Sequence, residues 1–232
     1  MRYPTLLFDL DHTLLDSDES ERLAYEHTMA TIGHAEPGTY FDRYVAINRS
    51  MWSAVEAGEM QPSEVRHRRF ERFTAELDID ADPHEMADTF VWGLGNFGEL
   101  YDGARDVLDE VAATAALAMV TNGLGDVQRA RIDRLDLGDY FHTVIISSEV
   151  GVTKPRPEIF DLAFEGLGRP ERSEALMIGD SLTSDIVGGH NYGVDTCWYN
   201  RHGAPSPTGT VVTHEIAELR EIPSIVAEAP PS

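Results

Sequence analysis

The sequence predicts an α/β fold in which a parallel sheet, covered by helices on both faces, is interrupted after its first strand by an all-helical insert. Three observations predict it. A short apolar run from Tyr3 to Leu10 opens the chain and ends in acidic residues, which suits a buried strand better than a helix. Residues 18 to about 98 then carry apolar side chains at helical spacing. From Tyr101 onward, short apolar runs alternate with amphipathic segments, the pattern of strands buried on both sides and joined by crossover helices.

Within the insert, Leu23, Tyr25, Met29 and Ile32 mark one apolar stripe. Tyr44, Val45, Ile47, Met51, Trp52 and Val55 mark a second, and Val65, Phe70 and Phe73 a third. Pro37, Gly58, Pro62 and Pro83 punctuate them. Helices are then expected at Ala104–Ala113, Val127–Leu135, Glu158–Leu167 and Ser184–Gly193, with a last one from Glu215. Strands are expected at Ala116–Thr121, Thr143–Ser147, Ala175–Gly179, Thr196–Tyr199 and Val211–Thr213. The expected division is 1–16 with 100–232 as the α/β unit, and 17–99 as the helical insert. Ala204–Pro207 reads as a loop and Ala229–Ser232 as a frayed tail. Gly93-Leu94-Gly95-Asn96-Phe97-Gly98 matches the dinucleotide fingerprint but follows a helical segment, so it reads as the loop leaving the insert.

With 232 residues, 42% of them hydrophobic, the chain can bury a substantial core. Its N-terminal apolar run is too short for a signal peptide and no later run approaches a bilayer span, so no membrane partner is expected and the location is read as cytoplasmic. A lone cysteine, Cys197, can make neither an internal disulfide nor a thiolate metal site and is expected to be an inert strand residue. The formal charge of −23 comes from 41 acidic against 18 basic residues, with the acids dispersed along the chain. That balance argues against a nucleic-acid polymer as partner, because binding one requires a basic face that displaces counterions. Of the 18 basic residues 17 are arginine, and Lys154 is the single lysine. Dispersed acidity with almost no lysine matches adaptation to a salty cytoplasm, where salt screens self-repulsion.

In an open parallel sheet, ligands bind beyond the carboxyl ends of the strands. Those ends read Asp9-Leu10-Asp11-His12-Thr13, then Thr121-Asn122-Gly123, and Gly179-Asp180 followed by Ser184-Asp185, while Lys154-Pro155 opens the helix after the third strand. Taken alone, an Asp-x-Asp pair marks a turn, Thr121 could cap a helix, and Asp185 could lie on a helix surface. In this order, however, the four segments resemble the haloacid dehalogenase-like superfamily, with its DxDxT, its Thr or Ser, its Lys and its GDxxxxD. The resemblance spans nearly the whole chain.

It implies a Rossmann-like core with an α-helical cap, and Mg²⁺-dependent hydrolysis of a small-molecule phosphate monoester by a monomer or weak dimer. Asp9 would be the nucleophile, forming an aspartyl phosphate. Asp11, two residues along an extended backbone, would act as acid and base on the same side. Mg²⁺ is assigned by resemblance to Asp9, Asp180 and the backbone carbonyl of Asp11, with Asp185 behind them orienting Lys154. Thr121 and the N–H of Asn122 would hold phosphate oxygens. That the only lysine falls at the motif position is an independent argument, since a compact ammonium suits contact with both a phosphate and a carboxylate. His12 receives no role.

The insert is similar to the cap of the pyrimidine 5′-nucleotidases that act on non-standard nucleotides. The likeness rests on Ala46-Ile47-Asn48-Arg49-Ser50-Met51-Trp52, Gly58, and His67-Arg68-Arg69-Phe70-Glu71, with Ile146–Val152 and Thr196–Asn200 similar to the same group. It suggests a nucleoside monophosphate such as dUMP, UMP or dTMP, with Asn48, Trp52 and Phe70 as cap contacts. The alternative for these three is packing between cap helices. Rival functions are a sugar-phosphate or phosphoglycolate-type phosphatase, a dehalogenase (disfavoured by Asp11) and a catalytically silent binding module of the same fold. No Walker A motif, GxSxG elbow or HExxH spacing is present.

Overall fold

The computed structural model describes residues 1–227. The expectation for Ala229–Ser232 lies outside them. Six parallel strands form one sheet in the order β3-β2-β1-β4-β5-β6: β1 (Thr5–Phe8), β2 (Ala116–Thr121), β3 (Thr143–Ile146), β4 (Ala175–Gly179), β5 (Asp195–Tyr199) and β6 (His214–Ile216). The central strands are apolar apart from Thr5 and Thr121 at their ends because both their faces are covered. Leu6 and Phe8 of β1, Leu117 and Met119 of β2, and Leu176 and Ile178 of β4 pack into one cluster. Their alternates Leu7, Ala118, Val120, Ala175 and Met177 pack into the cluster on the opposite face. This two-residue alternation is the direct consequence of strand geometry.

Between β1 and β2 lie α1 (Ser17–Thr31), α2 (Phe41–Glu56), α3 (Pro62–Leu77) and α4 (Pro83–Asn96), followed by α5 (Ala104–Ala112). The starts of α1 and α4 are capped by Asp16 and Asp82, whose carboxylates accept from the N–H groups of Glu19 and His84. The first four helices share an aromatic core in which Tyr25, Phe70, Phe73 and Phe90 surround Tyr44. The two chain segments joining this block to the sheet run antiparallel to each other. Leu15 bridges Leu100, the N–H of Asp16 donates to Glu99 O at 2.9 Å, and that of Tyr101 to Leu14 O at 2.8 Å. Beyond β2 come α6 (Gly125–Arg134), α7 (Ser147–Val150), α8 (Pro157–Gly166), a wide π-type turn at Leu182–Ile186 leading into α9 (Val187–Tyr192), and α10 (Ile222–Ala227).

Three expectations are corrected. The last strand is His214–Ile216, not Val211–Thr213, and Glu215 lies in it rather than starting a helix. The reason is that an edge strand buries only Ile216 here, so no alternation announces it, whereas Val211 is exposed. The glycines of the 93–98 segment belong largely to α4 itself. A Cβ on Gly93 would lie 2.8 Å from Ala24 Cβ and one on Gly95 2.9 Å from Ala130 Cβ, so they let α4 pack closely on α1 and α6. The predicted helix Ser184–Gly193 is instead a π-type turn followed by a short helix. Cys197 is buried in β5, with its thiol pushed up to about 12 by burial. Among the described residues no helix is long and apolar enough to cross a membrane.

Candidate active site

Strand order places β1 between β2 and β4, so the residue after β1 sits where the chain's connections diverge and a crevice opens. That residue is Asp9, 5% exposed, whose N–H continues the ladder by donating to Ile178 O at 3.0 Å. Lys154, delivered ahead of α8, reaches its Oδ1 with Nζ at 2.6 Å. The Thr13 hydroxyl donates to Oδ2 at 3.2 Å and accepts from the N–H of Asp180 at 3.1 Å, tying the end of β1 to that of β4. Asp180 is held from behind by the Trp198 indole, which donates to its carbonyl at 2.8 Å.

Asp185 is fully buried, with Oδ1 2.7 Å from Lys154 Nζ and Oδ2 accepting the N–H of Ser181 at 3.0 Å. The approach explains Gly179, since a Cβ there would overlap the Asp185 carboxylate. Lys154 is thus clamped between two carboxylates. Burial opposes its charge, but Asp185 and Asp9 outweigh that and hold the ammonium above its ordinary range. The Asn122 side chain fixes the lysine backbone, donating to Lys154 O at 3.0 Å and accepting its N–H at 2.9 Å.

One ammonium does not balance this many acids. Burial, with repulsion from Asp185 and Asp11 added and the attraction of Lys154 opposing, pushes the Asp9 carboxyl up to about 7. Burial, with Asp185 and Asp9, pushes Asp180 up to about 8. Carboxylate oxygens of Asp9, Asp180 and Asp185 all lie within 4.8 Å of one another, an oxygen-only set of the kind that suits a hard divalent cation. Asp185 is engaged by Lys154 and Ser181 and Asp9 by Lys154 and Thr13, whereas the Asp180 carboxylate makes no hydrogen bond among the described residues.

Asp11 faces the same cavity but in a different electrostatic setting. Arg131 Nη1 lies 2.7 Å from its Oδ1, Ser17 Oγ donates to the same oxygen at 2.6 Å, and Gln128 Nε2 donates to Oδ2 at 2.5 Å. Burial acts to raise this carboxyl, but Arg131 and these hydrogen bonds prevail and hold it below its usual value. Arg131 also donates to Leu94 O at 2.8 Å and Ser20 Oγ at 3.1 Å, so one guanidinium ties Asp11 to both α4 and α1. Thr121 is fully buried beneath the cavity, its hydroxyl accepting from Gln128 Nε2 at 2.8 Å. Its own proton remains available to a further acceptor.

A cavity of about 320 Å³ lies over Asp9, walled on one side by Asn122, Gly123 and Gln128 and on the other by Val45, Asn48 and Trp52 from α2. Asp11, Lys154, Asp180 and Asp185 also line it. Asp9, Asp11, Asn122, Lys154, Asp180 and Asp185 are therefore brought together, whereas Thr121 does not line the cavity and reaches it through Gln128. Phe70 does not line it either. It is fully buried in the helical core, 5.5 Å from Tyr44 and 5.3 Å from Phe90 between ring centroids, so the packing alternative holds for it. His12 lines the cavity edge with its backbone in the left-handed region, its ring 3.7 Å from Asp18.

Sequence reasoning missed Ser17, Glu21, Gln128 and Arg131, and quoted Thr13 and Arg69 within motif stretches without giving either a role. The pair on α6 carried a readable signal, because Gln128 and Arg131 share the inward face of that helix with Val127 and Ile132. Polar groups on a buried helix face call for partners.

The haloacid dehalogenase-like hydrolase family pattern matches residues 3–193. The chain belongs to that family. Among relatives of this haloacid dehalogenase-like hydrolase, the pyrimidine 5′-nucleotidase YjjG of Escherichia coli is 32% identical over 231 residues, covering 98% of this chain and 100% of its own. The pyrimidine 5′-nucleotidase PynA of Streptococcus pneumoniae is 34% identical over 223 residues, covering 96% and 94%. A glyceraldehyde 3-phosphate phosphatase of Pyrococcus abyssi is 33% identical over 199 residues, covering 84% and 80%. The crystal structure of the hydrolase YfnB of Bacillus subtilis, bound to magnesium, superposes with a TM-score of 0.89 at 34% identity, covering 98% of this chain and 100% of that one.

Proposed function

We propose that the protein is a Mg²⁺-dependent phosphomonoesterase working through an aspartyl phosphate on Asp9, with pyrimidine nucleoside 5′-monophosphates as substrates. The observation that carries the chemistry is the placement of Asp9. Its carboxylate is buried, oriented by Lys154 and Thr13, and faces the cavity. The base preference is supported by the pyrimidine nucleotidases among the relatives and by Asn48 and Trp52 on the cavity wall. On this reading residues 17–99 are a cap that closes over the substrate and excludes water.

A phosphoryl group resists attack because its oxygens carry negative charge, so catalysis is mostly positioning and charge stabilisation. Bound at Asp9, Asp180 and the backbone carbonyl of Asp11, Mg²⁺ would neutralise the transferring oxygens. Lys154 supplies a second positive charge beside the attacking oxygen. The Thr121 hydroxyl and the Asn122 N–H hold the remaining oxygens. An Asp9 oxygen bonds to phosphorus as the bond to the leaving oxygen breaks, and Asp11 gives that oxygen its proton. Arg131, Ser17 and Gln128 keep Asp11 ionised before substrate arrives, so its proton is taken up together with the phosphate, whose negative charge favours protonation. In the second step Asp11 accepts a proton from water as the water oxygen attacks phosphorus, which frees Asp9 and inorganic phosphate. Asp185, held by Lys154 and Ser181, orients the ammonium throughout.

A substrate panel tests this. Phosphate release is compared for dUMP, UMP and dTMP against phosphoglycolate, glyceraldehyde 3-phosphate and p-nitrophenyl phosphate, with Mg²⁺ and with chelator. The expected result is metal-dependent release with pyrimidine nucleotides preferred. A preference for sugar phosphates would overturn the nucleotide reading. Absence of metal-dependent release from every ester would overturn the phosphatase reading and favour the silent module.

A further inference from the structure

The cavity wall contributed by the helical block carries polar atoms that the protein leaves unmet. Arg69 is 2% exposed, lays its guanidinium 4.4 Å from the centre of the Phe90 ring, and makes one long bond, from Nη1 to Asn48 Oδ1 at 3.4 Å. Its Nε and Nη2 make no well-formed hydrogen bond, and the buried Tyr44 hydroxyl lies against both Arg69 and Glu21. Glu21 accepts from Asn48 Nδ2 through Oε1 at 2.5 Å. Glu21, Asn48 and Arg69 all line the cavity over Asp9. Leaving a buried polar group without a partner is destabilising. An under-bonded guanidinium beside a carboxylate on the wall of one ligand cavity indicates a surface whose further partner arrives with the ligand.

We propose that Glu21 and Arg69, bridged by Asn48, read the base of the nucleotide, with Glu21 accepting the ring N3–H of uracil or thymine and Arg69 donating to the adjacent ring carbonyl. The inference rests on the pyrimidine nucleotide reading above and adds the residues that choose among bases. A ring imide offers a donor beside an acceptor, the complement of a carboxylate beside a guanidinium. Cytosine instead turns an N3 lone pair toward the carboxylate. Trp52 and Val45 on the same wall suit the flat apolar face of the ring. The strength of such a site lies in rejection, because an analogue lacking the expected donor leaves buried groups unpaired.

The decisive variant is Glu21→Gln, which keeps the shape of the side chain. Asn48 Nδ2 already donates to Oε1, so the glutamine carbonyl stays there and its NH₂ turns to the ligand, a donor facing the N3–H of uracil but matching the N3 lone pair of cytosine. Values of kcat/KM are measured for UMP, CMP and ribose 5-phosphate in the parent, Glu21→Gln and Arg69→Lys. The parent is expected to prefer UMP to both others. In Glu21→Gln the UMP to CMP ratio should fall at least about tenfold, and in Arg69→Lys the UMP to ribose 5-phosphate ratio should fall likewise. A Glu21→Gln ratio within about twofold of the parent's, with the parent still preferring UMP, overturns this inference and leaves the nucleotidase reading standing. A parent that does not distinguish UMP from ribose 5-phosphate overturns both. Glu21→Gln decides the matter even if Arg69→Lys fails to fold.

Discussion

Replacing Lys154 by methionine keeps an unbranched apolar stem and deletes the ammonium held 2.6 Å from Asp9 and 2.7 Å from Asp185. Both acids stay buried, so two carboxylates lose their shared cation at once. Removing one partner of a buried ion pair costs about 3–5 kcal/mol. For a chain of this length that corresponds to a fall in Tm of roughly 6–20 °C. The loss must depend on pH, with a sign fixed by proton linkage. Burial and mutual repulsion raise Asp9 to about 7 even with the lysine present. Without it the folded variant holds more protons than its unfolded chain between the ordinary carboxyl range and neutrality, so its stability falls as pH rises through that window. Near pH 4.5 Asp9 is largely protonated and the substitution should cost less, whereas at pH 8 the full cost should appear. Urea unfolding in chelator at both pH values reads this directly, and excess Mg²⁺ should recover part of the loss at pH 8. An equal loss at both pH values, or a loss under about 1 kcal/mol at pH 8, would refute the view that Lys154 carries the charge balance of this site.

Three further outcomes are expected. Asp9→Asn should reduce phosphate release to background while Tm stays within a few degrees of the parent, and substantial turnover would remove Asp9 as nucleophile. Because Asp9 and Asp180 sit at about 7 and about 8 before a cation binds, adding Mg²⁺ to metal-free protein in weak buffer at pH 7 should release protons, detectable with an indicator dye; a silent titration contradicts the assigned ligands. With a formal charge of −23, Tm should climb between low and molar KCl as salt screens self-repulsion, and a flat curve would end the salty-cytoplasm reading.

The parts of the molecule legible in sequence are those where one local rule acts alone. The strands Ala116–Thr121 and Ala175–Gly179 announce themselves because burial on both faces keeps them apolar up to the terminal Thr121. Asp9, Asp11, Lys154 and Asp180, singled out by strand position together with the family resemblance, do line one cavity. What escaped depends on distant neighbours. His214–Ile216 is a strand because β5 offers it an edge, not because of its own alternation. Gly93 and Gly95 look like loop punctuation until Ala24 and Ala130 are seen against them. Phe70 looked like a ligand contact, yet nothing in its spacing separates a residue facing the cavity from one facing Tyr44. Arg131 meets Asp11 across 120 positions of sequence, and Arg69 meets Asn48 across the α2–α3 interface. Neither pairing has a local signature.

The antiparallel contact between Leu15 and Leu100 has a consequence for how such a protein diversifies. Because the chain leaves and re-enters the sheet through neighbouring, mutually hydrogen-bonded residues, the geometry at the junction does not depend on how many residues lie between them. Closing a longer excursion adds only about 0.6 kcal/mol for each doubling of its length. The helices between the two points can therefore change in length without altering how the chain leaves and re-enters the sheet, as long as Ser17, Ser20 and Leu94 keep their contacts to Asp11 and Arg131. Selection for a new leaving group can act on one module while the phosphoryl chemistry is inherited unchanged.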